Sequence, residues 1–173
     1  KTPGIELAEQ PGWRLPDVIV YPTGGGDGII GMWKAFGEMR AAKWIDASAR
    51  LPRLVVAQAS GCAPLVRAFA AGAERATAWE RPTTHAAGLR VPSRLGDRLV
   101  LRALRESKGA AESVGEDAIR DATKRLSASS GIDAAPEGGC ALAALESLVR
   151  AGNIKPADEV VLFNTGAGAS YRA

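Results

Sequence analysis

Sulfur and imidazole are scarce in this sequence: Cys62, Cys140 and a single histidine, His85, among 173 residues. Two cysteines make no disulfide framework, so two buried thiols in a reducing cytoplasm are expected. One histidine and two distant cysteines fall short of the four ligands of a zinc site, and no metal is expected. No run approaches the roughly 18 consecutive apolar residues of a membrane span. The opening Lys1-Thr2-Pro3-Gly4-Ile5-Glu6 has no apolar core like that of a signal peptide. Neither a membrane partner nor export is therefore expected. A Lys/Arg block is missing too: 22 Lys+Arg are interspersed with 19 Asp+Glu, for a net charge of +3. Nucleic-acid binders concentrate their basic residues in a stripe or patch, so no nucleic-acid partner is expected. There is no internal repeat. An initiator methionine is absent as well, and a strand signal follows as early as Asp17, so an upstream segment is expected.

What is present is the composition of a folded domain, with 46% hydrophobic and 24% charged residues. Strand and helix signals alternate along it, the pattern of a layered α/β domain. Asp17–Tyr21, Leu54–Ala57 and Glu159–Phe163 read as buried strands, with a short strand around Glu112–Val114. In the segment 28–44, Ile29, Met32, Trp33, Phe36 and Met39 recur at three- and four-residue steps, one face of a helix. Further helices are predicted over Ala63–Ala71, Leu95–Ser107, Glu116–Ser129 and Glu137–Ala151. Between them, Ala73–Leu95 has no period and holds Pro82, Gly88 and Pro92. Loops this long in a compact domain tend to be functional. No linker divides the chain, which predicts one domain over residues 1–173.

Three glycine-rich segments carry the chemistry. Tyr21-Pro22-Thr23-Gly24-Gly25-Gly26-Asp27-Gly28 runs from a strand end into a helix start. Glycine reaches backbone conformations closed to other residues, so successive N–H groups can turn onto one anion, and the helix N-terminus adds a positive end. The spacing does not fit a dinucleotide fingerprint, and no P-loop Lys-Ser/Thr follows. Two readings are open, a tight strand-to-helix turn or a phosphate cradle. Three consecutive glycines before a well-patterned helix favour the cradle. Asn164-Thr165-Gly166-Ala167-Gly168 follows the last strand; parallel strands would bring both loops to one crevice, where the Thr165 hydroxyl can hydrogen-bond a ring nitrogen or a substrate oxygen, a plain Thr-Gly turn being the other reading. Pro136-Glu137-Gly138-Gly139-Cys140 opens an Ala-rich helix, where close helix–sheet packing is one reading and an interaction of Glu137 with the helix N-terminus another. His85 is a conceivable acid/base, though a lone loop histidine is more often not catalytic.

In this order the segments resemble the C-terminal part of the threonine synthases, pyridoxal-phosphate (PLP) enzymes of the tryptophan synthase β-subunit fold, fold type II. The resemblance rests on Trp13-Arg14-Leu15-Pro16-Asp17, Pro22-Thr23-Gly24-Gly25-Gly26 and Gly31-Met32-Trp33-Lys34-Ala35-Phe36. It continues through 58–69 (Gln58 to Phe69), Gly88-Leu89-Arg90-Val91-Pro92, Pro136-Glu137-Gly138-Gly139 and Asn164-Thr165-Gly166. It implies an open three-layer αβα sheet, the C-terminal part of the large PLP-binding domain. The backbone N–H groups of Gly24, Gly25, Gly26, Asp27 and Gly28 would hold the cofactor phosphate, and Thr165 would meet the pyridine nitrogen. The family converts O-phospho-L-homoserine and water to L-threonine and phosphate, and Arg90 is a candidate for the substrate phosphate. A small-molecule amino-acid substrate is thus the implied partner, and a homodimer is compatible with the resemblance.

Two departures stand out. Asp27 places a negative charge in a loop meant for a phosphate, so its side chain is expected to point outward. None of the six lysines, Lys1, Lys34, Lys43, Lys108, Lys124 and Lys155, sits in the family's Ser-x-Lys-Asp-type setting. Lys34 lies about two helical turns past the loop, roughly 9–12 Å along the axis. The cofactor-bearing lysine is therefore expected upstream of Lys1, no catalytic residue is assigned within the chain, and the chain alone is expected to be inactive. Two other readings stay open: a related fold type II lyase (threonine or diaminopropionate ammonia-lyase, or cysteate synthase), and a non-catalytic phosphate- or nucleotide-binding module.

Overall fold

The computed structural model describes residues 1–93 and 95–172. Its elements in chain order are α1 (Thr2–Glu9), β1 (Val18–Pro22), α2 (Asp27–Ala41), β2 (Arg53–Ala59), α3 (Pro64–Ala70), α4 (Asp97–Glu106), β3 (Ala110–Val114), α5 (Glu116–Ser130), α6 (Pro136–Arg150) and β4 (Val160–Leu162). Two short 3-10 turns, Ala87–Leu89 and Gly168–Tyr171, complete it. The strands form one parallel sheet in the order β3-β2-β1-β4. Parallel strands need crossover connections, and here each one carries one or two helices.

Alternation along the strands divides the core between two faces. Ile19, Leu54 and Val56 point to a cluster with Ile29, Met32 and Phe36 of α2, Leu65 of α3 and Val100, Leu101 and Leu104 of α4. Val18, Val20 and Val55 point the other way, onto Ala141 and Leu148 of α6. Ala57 and Ala59 meet Ile119 and Ala122 of α5 and Cys140 of α6 on that same side. The result is the expected αβα sandwich. Each fully buried Ile, Leu, Met or Phe side chain contributes about 1.5–3 kcal/mol, so the β1–α2–β2 centre is the most firmly held part.

One element lies outside the sequence reading, and one expectation needs correction. Before Asp17, where the reading assigns no element, Thr2–Glu9 is helical with a proline in its first turn. Its Gly4 lies so close to α2 that a Cβ there would sit 3.0 Å from the Met32 Cα. The last strand was expected to be buried, but all three of its residues are half-buried. It is the sheet edge, with only Val160 and Leu162 turned onto the α6 side. Among the described residues no helix is long and apolar enough to cross a membrane.

The strand order creates one special place. From β1 the chain steps to β2 and then β3, and it returns to the opposite side of β1 to form β4. The loops after β1 and β4 therefore leave adjacent strands and diverge. In open α/β sheets ligands bind at such a switch point, outside the carboxyl ends of the strands.

Candidate functional site

The loop after β1 is set before its glycines begin. Thr23 is fully buried; its N–H donates to the Ala57 carbonyl at 2.8 Å and its hydroxyl to the Tyr21 carbonyl at 2.8 Å. Gln58, also fully buried, donates from Nε2 to the Thr23 carbonyl at 3.0 Å. Gln58 Oε1 accepts the Leu65 and Val66 N–H groups at 2.9 and 3.2 Å. Those two N–H groups belong to the first turn of α3, which has no side-chain cap of its own. One buried amide thus caps α3 and clamps the end of β1 to it.

Three of the glycines that follow are used at close quarters. A Cβ on Gly24 would lie 2.0 Å from the Gly88 carbonyl oxygen, and one on Gly28 would lie 2.3 Å from the Tyr21 ring. Gly26 has φ of +84° and is the N-cap of α2, a left-handed conformation that favours glycine. Asp27 is exposed and opens the first turn. The first N–H groups of this 15-residue helix have no acceptor within it. They crown the carboxyl edge of β1, the donor set that a phosphate fits.

The long segment 73–93 roofs this edge and is pinned at successive points. Thr83 N–H donates to the Gly61 carbonyl at 3.1 Å. The His85 ring Nδ1 is paired with Glu116 Oε2, which also accepts the His85 backbone N–H at 3.1 Å. Gly88 N–H donates to Glu137 Oε1 at 2.8 Å. His85 is thus a tether between the roof and the start of α5. Burial raises the Glu116 pKa, but the hydrogen bonds from Thr84 and His85 outweigh it and hold the carboxyl below its ordinary value.

Across the switch point, Tyr21 and Phe163 meet in a tilted contact, with ring centroids 5.1 Å apart and planes at 54°. Burial, then the Asp27 charge, raises the Tyr21 pKa. Beyond Phe163, the Asn164 amide braces its loop: Oδ1 accepts Ala135 N–H at 3.2 Å and Nδ2 donates to the Gly166 carbonyl at 2.7 Å. Thr165 lies between these braced neighbours and is exposed. The α6 segment packs on the sheet through Cys140 and Ala141, while its glycines allow close approach to other neighbours. A Cβ on Gly138 would meet Asn164 Oδ1 at 2.2 Å, and one on Gly139 would meet Thr123 Oγ1 of α5 at 2.0 Å. Glu137 is 6% exposed and binds Gly88 and the Tyr171 hydroxyl, so its role extends beyond the end of its own helix. Burial, then the charges of Glu116 and Glu137, pushes the Cys140 thiol up to about 12. Burial also raises Cys62, and both thiols are inert at neutral pH.

The two loops predicted as the site therefore stand on adjacent strands at one edge, with Arg90 exposed on the roof between Leu89 and Val91. Sequence reasoning missed the supports: Gln58, Thr23, the Glu137–Tyr171 contact and the His85–Glu116 pair. Only the unusual glutamine at the end of an apolar strand signalled one of them. Lys34 is remote from the edge, 63% exposed and paired with Glu38 at 3.1 Å. Among the described residues no three His, Cys, Asp or Glu side chains gather as metal ligands.

A family model described as "Pyridoxal-phosphate dependent enzyme" matches residues 1–166. The threonine synthase of Methanosarcina acetivorans is 36% identical over 166 residues, covering 96% of this chain and 40% of its own length. That of Methanocaldococcus jannaschii is 32% identical over 168 residues, covering 97% and 41%. The chain thus spans about two-fifths of the length of these relatives. Among solved structures, threonine deaminase isoform 2 from Solanum lycopersicum superposes with a TM-score of 0.71 at 20% identity, over 95% of this chain and 43% of that one. An L-serine ammonia-lyase from Rhizomucor miehei gives 0.70 at 21%, over 99% and 54%. At those identities the likeness shows the fold, that of the fold type II PLP enzymes. With a parallel sheet, a glycine-lined edge at its switch point and a family match over 166 of 173 residues, the chain belongs to the pyridoxal-phosphate-dependent enzyme family.

Proposed function

We propose that this chain is the C-terminal part of the large domain of a threonine-synthase-like enzyme, which converts O-phospho-L-homoserine and water to L-threonine and phosphate. The observation that carries this reading is 36% identity to a threonine synthase across 96% of the chain. PLP, when bound, supplies the electron sink for a carbanion developing beside the substrate's amino group. The N–H groups of Gly24, Gly25, Gly26, Asp27 and Gly28 hold the cofactor phosphate, aided by the positive end of α2. Thr165 offers a neutral hydroxyl to the ring nitrogen. Unlike a carboxylate, it brings no counter-charge for a protonated ring, which leaves more of the stabilisation to local hydrogen bonding and orientation. Arg90 gives the substrate phosphate a cation at the rim. The cofactor-bearing lysine lies on the segment preceding this one in the parent protein, and this chain alone is inactive.

The test is an assay of the full-length parent with O-phosphohomoserine and, separately, with threonine, serine and diaminopropionate. Stoichiometric release of phosphate and threonine is expected from the first. Ammonia from the others, without phosphate release from the first, would replace this reading with that of a fold type II lyase. Tight nucleotide binding and no PLP binding would replace it with a binding module. A borohydride-reducible PLP adduct on a lysine of residues 1–173 would overturn the placement of the cofactor-bearing lysine.

A further inference from the structure

The family match ends at residue 166, yet the residues after it are tied into the site. Ala167 bridges to Ala134. Gly168 is buried, and a Cβ on it would sit 2.4 Å from Asp133 Oδ1. Gly168 N–H donates to the Asp133 carbonyl at 2.8 Å, and Ala169 N–H to Asp133 Oδ2 at 2.8 Å. Arg172 closes the turn with a two-pronged contact to the same carboxylate at 2.8 and 2.6 Å. Asp133 thereby fixes the turn Gly168–Tyr171 as a strap across the start of α6.

The strap delivers one functional group. The Tyr171 hydroxyl donates to Glu137 Oε1, the oxygen that also accepts Gly88 N–H at 2.8 Å. On its other side, Gly88 presents its carbonyl where a Gly24 Cβ would fall, 2.0 Å away. Three consecutive contacts therefore run from Tyr171 through Glu137 and Gly88 to the first glycine of the phosphate loop. Glu137 is almost wholly buried, and a buried carboxylate is costly unless hydrogen-bond donors satisfy it. Burial, then the hydrogen bond and charge of Glu137, raises the Tyr171 pKa above 10.0, so the phenol remains a donor at neutral pH.

We propose that Tyr171 is a positioning residue for the cofactor-phosphate loop, acting through Glu137 and the Gly88 segment of the roof. The role rests on the assignment of Gly24–Gly28 to the cofactor phosphate. Removing the hydroxyl leaves the buried Glu137 carboxylate one donor short and takes the Tyr171 oxygen away from the Ala87 and Gly88 N–H groups that it also meets. The roof is then held less firmly at Gly88, against which the Gly24 loop rests.

The experiment uses the full-length parent protein and its Tyr171→Phe variant. Hydrogen–deuterium exchange of peptides spanning residues 83–91 and the Kd for PLP are read at a temperature where both proteins are fully folded. Expected are exchange at least several-fold faster and a Kd about tenfold higher, the scale of one hydrogen bond to a charged group. A shifted phosphorus resonance of the bound cofactor is expected with them, a signal that a general loss of stability does not move. Should the phenylalanine variant fail to fold, Arg172→Ala loosens the strap from its exposed side and is expected to act in the same direction. An unchanged Kd and phosphorus resonance in a variant with the strap freed would overturn the proposal, even with faster exchange. A parent protein that does not bind PLP at all would instead overturn the cofactor assignment on which it rests.

Discussion

Replacing Gly24 by alanine tests the geometry of the site most directly. The added Cβ would lie 2.0 Å from the Gly88 carbonyl oxygen and 3.0 Å from Val91 Cγ2. The first contact is a full ångström inside the 3.0 Å that real Cβ atoms keep, and its partner is backbone, which has no rotamer with which to yield. Either the glycine loop or the roof must move by about 1 Å. Thr23 and Gln58 hold the loop from below, and Glu137 holds the roof from the far side. Overpacking of this kind costs about 1–3 kcal/mol, and the backbone partner places Gly24→Ala in the upper half of that range. Misplacing a binding element by about 1 Å costs on the order of 10²-fold in turnover. Urea denaturation of the variant should show a lowered midpoint with unchanged slope. PLP titration of the full-length parent should show affinity reduced tenfold or more. An unchanged midpoint together with unchanged PLP affinity would refute the close approach of Gly24 and Gly88 and the fixed loop derived from it.

Three further outcomes are expected. Gln58→Leu keeps the side-chain bulk but strips partners from the Thr23 carbonyl and from the Leu65 and Val66 N–H groups; at about 1–3 kcal/mol per unsatisfied buried group, a loss of at least about 3 kcal/mol should appear in chemical denaturation. Gly37→Ala, in the middle of α2 with nothing within 4 Å of the new Cβ, should raise stability by about 0.5–1 kcal/mol through helix propensity and leave PLP affinity unchanged. The folded-state pKa of Glu116 lies below its ordinary 4.5, so the stabilisation it gives is fully present above that value and is lost as pH falls through the folded pKa. The difference in thermal midpoint between the protein and Glu116→Gln should accordingly shrink as the pH falls below about 4.5; a difference that keeps growing there would contradict a carboxylate held in its charged form.

The periodicities placed most elements within a few residues. The predicted strand Asp17–Tyr21 is β1 at Val18–Pro22, and of the predicted apolar steps Ile29, Met32, Phe36 and Met39 are buried in α2 while Trp33 is half-buried beside them. Helix α1 was not legible because its stripe is short and its Gly4 is a poor helix former. It is a helix because that glycine allows it to lie against Met32 and Ala35. The half-burial of β4 was equally invisible, since Val160–Leu162 is as apolar as a central strand. Only the strand order puts it at an edge. In the site, glycines mark themselves in a sequence, whereas the groups that hold them in place do not. Tyr171 and Glu137 are 34 residues apart, and Gly88 and Glu137 are 49 apart. No spacing rule connects such pairs.

The sequence by itself therefore determined the α/β class, the order of strands and helices from β1 onward, and the two glycine-bearing loops at strand ends. These follow from local periodicity and from the backbone freedom of glycine, which are properties of neighbouring residues. Tertiary structure alone decided that β4 returns beside β1, bringing the loops of Gly24–Gly28 and Thr165 to one switch point. It also decided that Gln58, Glu137 and Tyr171 bear on that point. Those relations depend on which strand pairs with which and on which buried donor meets which acceptor, and both are settled only when the chain closes its core.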